Sequence, residues 1–149
     1  VLCIDETFVR EIYGLLRALE CLIYESALPY IDDELIDELK AVNEEIGLIA
    51  AGQTLSTGYI DLNTKFHGLI MSRGGNSKAI ELYRYYHMLI RALRKSYMPS
   101  IVRVQAVYGE HDELIAALEK KDALAIKAAV DKHVGHAMEN FLKVYAGQI

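Results

Sequence analysis

The stretch Asp61-Leu62-Asn63-Thr64-Lys65-Phe66-His67-Gly68-Leu69-Ile70 decides how the chain folds. Leu62, Phe66, Leu69 and Ile70 recur at spacings of three and four, the period of a helix and not of a strand. Asn63 and His67 stand four apart, so they share one helix face, on or near the apolar residues. An amide and an imidazole are therefore turned inward together. Buried polar groups left without partners cost about 1–3 kcal/mol each, so other helices must bring polar groups to this face. The stretch specifies a helical bundle with a polar site inside it.

The helix that carries it is expected from about Ser56 to Met71, stopped by Arg73-Gly74-Gly75. Upstream, Phe8, Ile12, Leu15, Leu19 and Leu22 mark an amphipathic first helix from about Asp5 to Ala27, ended by Pro29. Asp32 is a good N-cap for a second helix with Leu35, Leu39, Val42 and Ile46 on one face, fading at Gly52. Downstream, Asn76 or Ser77 can cap a fourth helix through Ile80, Tyr83, His87, Ile90 and Leu93. A fifth is expected to start near Pro99 at its first turn and to run past Gly109, with a kink there, to about Lys120. Asp122 caps a sixth that reaches about Tyr145.

No segment alternates as a strand does, and no internal repeat or low-complexity segment occurs. An all-α antiparallel bundle of six to seven helices, forming a single domain over residues 1–149, is the expected fold.

Composition bounds the function. The 149 residues are 52% hydrophobic and 25% charged, a globular balance. No apolar run approaches the roughly 18–20 residues that span a bilayer, and no signal peptide opens the chain, so a soluble protein without a membrane partner is expected. The net charge of −5 argues against direct nucleic-acid binding, which needs clustered Lys and Arg. The densest basic group, Arg91, Arg94 and Lys95 with Arg103 beyond, reads as a solvated helix face. Cys3 and Cys21 have no metal-type spacing and cannot form a disulfide scaffold; Cys21 reads as a small core residue, and a reducing cytoplasm fits.

Chemistry concentrates at the histidines. His111 precedes Leu114, Ile115 and Leu118, and His133 lies four after Ala129 on a face of small residues. Three imidazoles and one oxygen from inward faces match a first shell for zinc or another first-row divalent cation. The same residues also match hydrogen-bonded core histidines, and the residues alone leave both readings open. His136, three after His133, could substitute for it or face solvent. His87, beside Tyr85 and Tyr86, reads as packing.

These residues also carry a resemblance. Leu16-Arg17-Ala18-Leu19-Glu20, then Asn63-Thr64-Lys65-Phe66-His67, Gly74-Gly75-Asn76, Glu110-His111 with Ile115, and Asp122 leading to His133 resemble, in that order, the motifs of the FadR C-terminal (FCD) domain. That domain is the ligand-sensing half of a branch of GntR transcription regulators. The resemblance implies a buried divalent metal, zinc first with nickel or manganese as alternatives, held by Asn63, His67, His111 and His133. Many members carry Asp where this chain has Asn63, a weaker neutral ligand; Asp61, two residues earlier, points away from His67. The resemblance further implies a small carboxylate effector held by Arg17, with Asn76 lining the pocket or, more simply, capping its helix. Tyr13, Tyr83 and Tyr108 are candidate pocket donors.

By the same resemblance the chain would be the sensor and dimerisation domain of a homodimeric cytoplasmic regulator. DNA would be contacted through an N-terminal winged helix-turn-helix absent from this chain. Two other functions compete. One is a metal-dependent, hydrolase-like enzyme, which lacks a convincing general base because Glu110 points about 100° away from His111 on its helix. The other is a metal-free structural dimerisation domain. No enzymatic activity is expected.

Overall fold

The computed structural model describes residues 5–52, 58–93 and 99–145. Among these residues the chain forms six α-helices and no strand: α1 (Glu6–Ala27), α2 (Asp33–Gly52), α3 (Gly58–Ser72), α4 (Ser77–Leu93), α5 (Ile101–Glu119) and α6 (Ala123–Tyr145). A single 3-10 turn, Leu28–Tyr30, contains Pro29 and ends α1. Ser56, Cys3, Arg94 and Lys95 lie outside the described residues.

Short polar side chains start the helices by accepting otherwise unpaired backbone N–H groups. Asp5 accepts from Phe8 at 2.8 Å, Asp32 from Leu35 at 2.9 Å, and Asp122 from Leu124 and Ala125. Asn76, and not Ser77, caps α4 through Ala79 N–H at 3.0 Å. Ser100 caps α5, so Pro99 precedes the helix and does not sit in its first turn. α5 runs unbroken through Gly109. Lys121, with φ of 51°, takes the left-handed conformation that reverses the chain between α5 and α6.

Side-chain contacts fix the directions of the helices. From α2 to α5, Lys40 meets Glu119, Asn43 meets Asp112, and Glu44 meets Tyr108, so one helix ascends as the other descends. From α5 to α6, Glu113 meets Lys132 and Glu110 meets His136, with the same sense. From α1 to α6, Tyr13 lies against Phe141 while Arg17 lies against Asp131. All three pairs are antiparallel. The tyrosine ring of Tyr108 crosses α2 at Gly47, where an added Cβ would lie only 2.8 Å from it.

Leu35, Leu39, Val42 and Ile46 form the buried face of α2, as their spacing indicates. On α1 the expected stripe is only partly the buried one. Val9, Ile12, Tyr13, Leu16, Glu20, Ile23, Tyr24 and Ala27 are buried, whereas Leu15 and Leu22 are each 45% exposed. The inward face is turned toward Glu20 and Tyr24, polar residues that a search for apolar periodicity passes over. Glu20 is only 2% exposed.

Candidate metal centre

His67 on α3, His111 on α5 and His133 on α6 are all buried, and one nitrogen from each ring lies within 4.8 Å of the other two. Their ring centroids form a nearly equilateral triangle with sides of 5.3, 5.0 and 5.1 Å. Three separate helices bring them together, so the arrangement is a product of the fold and not of local sequence.

The hydrogen bonds behind the rings set the tautomers. His111 Nδ1 lies 3.1 Å from Asn43 Oδ1. The Asn43 amide nitrogen is occupied as donor to the Tyr108 carbonyl and to Asp112, so its oxygen is the acceptor and His111 Nδ1 carries the proton. Phe66 lies flat against the His111 ring at 3.8 Å and holds its plane. His133 Nδ1 donates to Glu110 Oε2 at 2.7 Å. His67 Nδ1 lies 2.6 Å from the Tyr24 hydroxyl oxygen and 3.0 Å from Glu20 Oε1. The Tyr24 hydroxyl donates its own proton to Glu20, at 2.7 Å, so His67 Nδ1 is again the donor. Each ring therefore keeps a lone pair on Nε2, the form in which imidazole binds a metal.

Charge and burial reinforce this assignment. Burial, then the neighbouring His133, His67 and Arg103, holds the His111 pKa well below its usual value. Burial also lowers His133, although its bond to Glu110 opposes the shift. Burial on its own would raise the carboxyl of Glu20, but His67, His133 and the Tyr24 hydroxyl outweigh it and bring the pKa below the ordinary value. Glu110 is held at about 2: bonds from His133, Arg103 and His136 overcome its burial. Two of the rings thus have carboxylates behind them, Glu20 at His67 and Glu110 at His133, and the third has the Asn43 amide.

Two buried polar atoms among the described residues have no partner: His111 Nε2 and Asn63 Oδ1. Asn63 stands one turn before His67 on α3. Orphaned buried acceptors are costly, and both of these belong to the set singled out in the sequence. The three imidazoles could hold a metal ion, and imidazole donors suit divalent cations of the first transition row.

The remaining candidates are placed elsewhere. His136 is 48% exposed and donates to Glu110 Oε1 at 2.7 Å, outside the three-histidine group. His87 stacks on Tyr83 at 5.5 Å. Arg17 is half exposed and directed toward Asp131 at 3.6 Å, while the neighbouring inward position on α1 is taken by Glu20. Asn76 acts as a helix cap. Tyr13 and Tyr83 are buried on α1 and α4, whereas Tyr108 packs between α2 and α5 and bonds to Glu44. Cys21 is a half-buried free thiol whose pKa is raised chiefly by burial. Arg103 is not a solvated cation: its side chain is 10% exposed and pairs with Glu110 at 2.7 Å.

Sequence reasoning missed the residues behind the histidines: Glu20, Tyr24, Asn43 and the pairing of Glu110 with Arg103. A signal existed. Glu20 lies four after Leu16, and Asn43 lies four after Leu39, so both are polar residues on otherwise apolar faces.

The FCD domain family matches residues 11–136. A regulator of Bacillus subtilis (strain 168), described as the uncharacterized HTH-type transcriptional regulator YdhC, is 29% identical over 136 residues. The match covers 91% of this chain but 61% of that relative, so the chain spans under two thirds of the relative's length. Among the described residues no helix is long and apolar enough to cross a membrane. With the motif order, the all-helical bundle and the buried histidine triad in agreement, the chain belongs to the FCD family, the C-terminal effector domain of FadR-type GntR regulators.

Proposed function

We propose that this chain is the effector-sensing and dimerisation domain of a GntR-type regulator, binding a small organic acid beside a divalent metal. Asn63, His67, His111 and His133 would hold the ion, zinc first among the candidates. The observation that carries the reading is the convergence of three buried imidazoles whose Nδ1 atoms are all engaged from behind. A divalent ion supplies Lewis acidity and open coordination positions to which a carboxylate binds. The protein residues fix the rings, exclude bulk water and keep the donors unprotonated.

Control of DNA binding would pass through an N-terminal winged helix-turn-helix in the whole regulator. The relative's description as a helix-turn-helix regulator, and its greater length, support that arrangement. Exposed Leu15 and Leu22 on α1, with exposed Leu82, Tyr85 and Met88 on the adjoining α4, support a homodimer formed through these two helices. An effector acts by preferring one arrangement of the helices over another, which requires different affinities for the two.

A hydrolytic reading is less well supported. Glu110, one of the two carboxylates that adjoin His111 in sequence, uses both oxygens for His133, Arg103 and His136 and is held at about 2, which makes it a weak base; the other, Asp112, accepts from Asn43. Calorimetric titration of the metal-loaded chain with common mono-, di- and hydroxycarboxylic acids tests the sensor reading. Binding that requires both the metal and the acid is the expected result; no heat with any acid, with or without metal, counts against it.

A further inference from the structure

Glu20 is the anomaly of the site. It is a buried carboxylate, and among the described residues no lysine or arginine lies within ion-pair distance of it; its partner at that distance is His67, with His133 acting on it from further away. Glu110, the other buried carboxylate, has Arg103 at 2.7 Å. An isolated buried charge is among the least tolerable features of a protein interior, costing several kcal/mol unless a counter-charge or a full set of hydrogen bonds relieves it. Oε1 of Glu20 receives the Tyr24 hydroxyl and faces His67 Nδ1, both neutral groups when the ring is in its metal-binding form.

The opposite deficit sits on the other side of His67. The donor set of three imidazoles and the Asn63 amide is neutral throughout, so a divalent cation there would bring two positive charges into the interior with no anion among its ligands. Glu20 lies on the Nδ1 side of His67, so its charge and that of an ion held at Nε2 would face each other across one imidazole.

We infer that Glu20 supplies, through His67, the negative charge that Asn63 does not provide, which makes it the positioning residue on which metal affinity at this neutral donor set depends. Glu20 orients the ring by accepting from its Nδ1 side, raises the basicity of Nε2, and offsets the charge of the ion across a single imidazole. Tyr24 fixes the carboxylate through Oε1. The inference rests on the reading of the histidine triad as a metal centre.

The test is zinc affinity measured by chelator competition on the tag-free chain, for wild type, Glu20→Gln, Asn63→Asp and the double variant, with thermal unfolding of each in metal-free and zinc-loaded forms. Glu20→Gln is expected to weaken zinc by on the order of 10–100-fold, the range for residues that hold a metal-binding histidine from behind. Adding Asn63→Asp to it is expected to restore affinity to within about threefold of wild type, because the charge returns at a ligand position. Metal-free Glu20→Gln loses the favourable contacts of the carboxylate with Tyr24 and His67 and is expected to melt somewhat lower, while the rise in melting temperature on adding zinc is expected to shrink; a purely structural residue would lower the metal-free midpoint and leave the zinc-induced rise unchanged. Where Glu20→Gln does not fold, Glu20→Met replaces it with the same expectations.

Unchanged affinity in the Glu20 variant, or a loss that Asn63→Asp does not restore, overturns the assignment. A wild-type chain that takes up no zinc overturns the metal centre itself.

Discussion

Asn43 and His111 are joined across 68 positions by a 3.1 Å bond from the ring's Nδ1 to the amide oxygen. That one contact selects the tautomer of a fully buried imidazole and leaves its Nε2 as an unpartnered acceptor. Asn43→Ala would leave a buried N–H unpaired and free the ring to choose either tautomer. Unfolding in denaturant is expected to show a loss of about 1–3 kcal/mol, and chelator competition a loss of about 10–100-fold in metal affinity. A variant with wild-type values in both would show that the bond orients nothing.

Glu110 and Arg103 form a largely buried pair that also anchors His133. Glu110→Ala leaves the guanidinium buried without its carboxylate, and removing one partner of such a pair costs about 3–5 kcal/mol. Because His133 loses its Nδ1 acceptor at the same time, metal uptake is expected to fall along with stability. Replacing both partners, Glu110→Met with Arg103→Met, is expected to recover a large part of the stability and none of the metal affinity. Equilibrium unfolding and metal content of the two variants separate the structural from the ligand-orienting contribution.

The fold was largely legible because it rests on local signals. The apolar periodicity of α2, the caps at Asp5, Asp32 and Asp122, and the stop at Pro29 each act within a few residues of where they are written. His67, His111 and His133 could be picked out because each sits on an otherwise apolar face, and the structure brings the three together. The orientation of α1 was not legible. Leu15 and Leu22 look like core residues by spacing, yet Leu16, Glu20 and Ile23 hold the inward face, because α1 must deliver Glu20 and Tyr24 to His67. Partnerships such as Asn43 with His111, or Glu110 with His133, depend on how α2, α5 and α6 pack. Spacing within one helix does not reveal them.

Acid is expected to destabilise the metal-free chain in two separate windows. His111 and His133 have folded pKa values below the ordinary 6.5, so below that pH the unfolded chain binds protons that the folded chain refuses. Their contribution is complete above about 6.5 and is lost as pH falls toward their lowered folded values. Glu110 acts later: its contribution is present above the ordinary 4.5 and is lost as pH falls toward about 2. Thermal unfolding of the metal-free chain between pH 8 and pH 5 is therefore expected to show a falling midpoint. A midpoint that stays level or rises across this range would mean that the rings are not held neutral.

Arg17 is half exposed and lies 3.6 Å from Asp131. Exposed pairs of this kind contribute about 0–1 kcal/mol, so Arg17→Ala is expected to leave stability nearly unchanged and metal content untouched. Calorimetry with an acid that binds the wild-type chain is expected to give the same affinity in the variant. A loss of tenfold or more would mean that the guanidinium leaves Asp131 and turns toward the bound acid, as the family resemblance implies.

Elemental analysis of tag-free protein purified without chelators tests the metal centre most directly, with wild type and His67→Ala run side by side. About one divalent ion per wild-type chain and essentially none in the variant is the expected result, since the variant keeps only two of the three imidazoles that would hold the ion. Wild-type protein free of metal, or equal metal in both proteins, would contradict it.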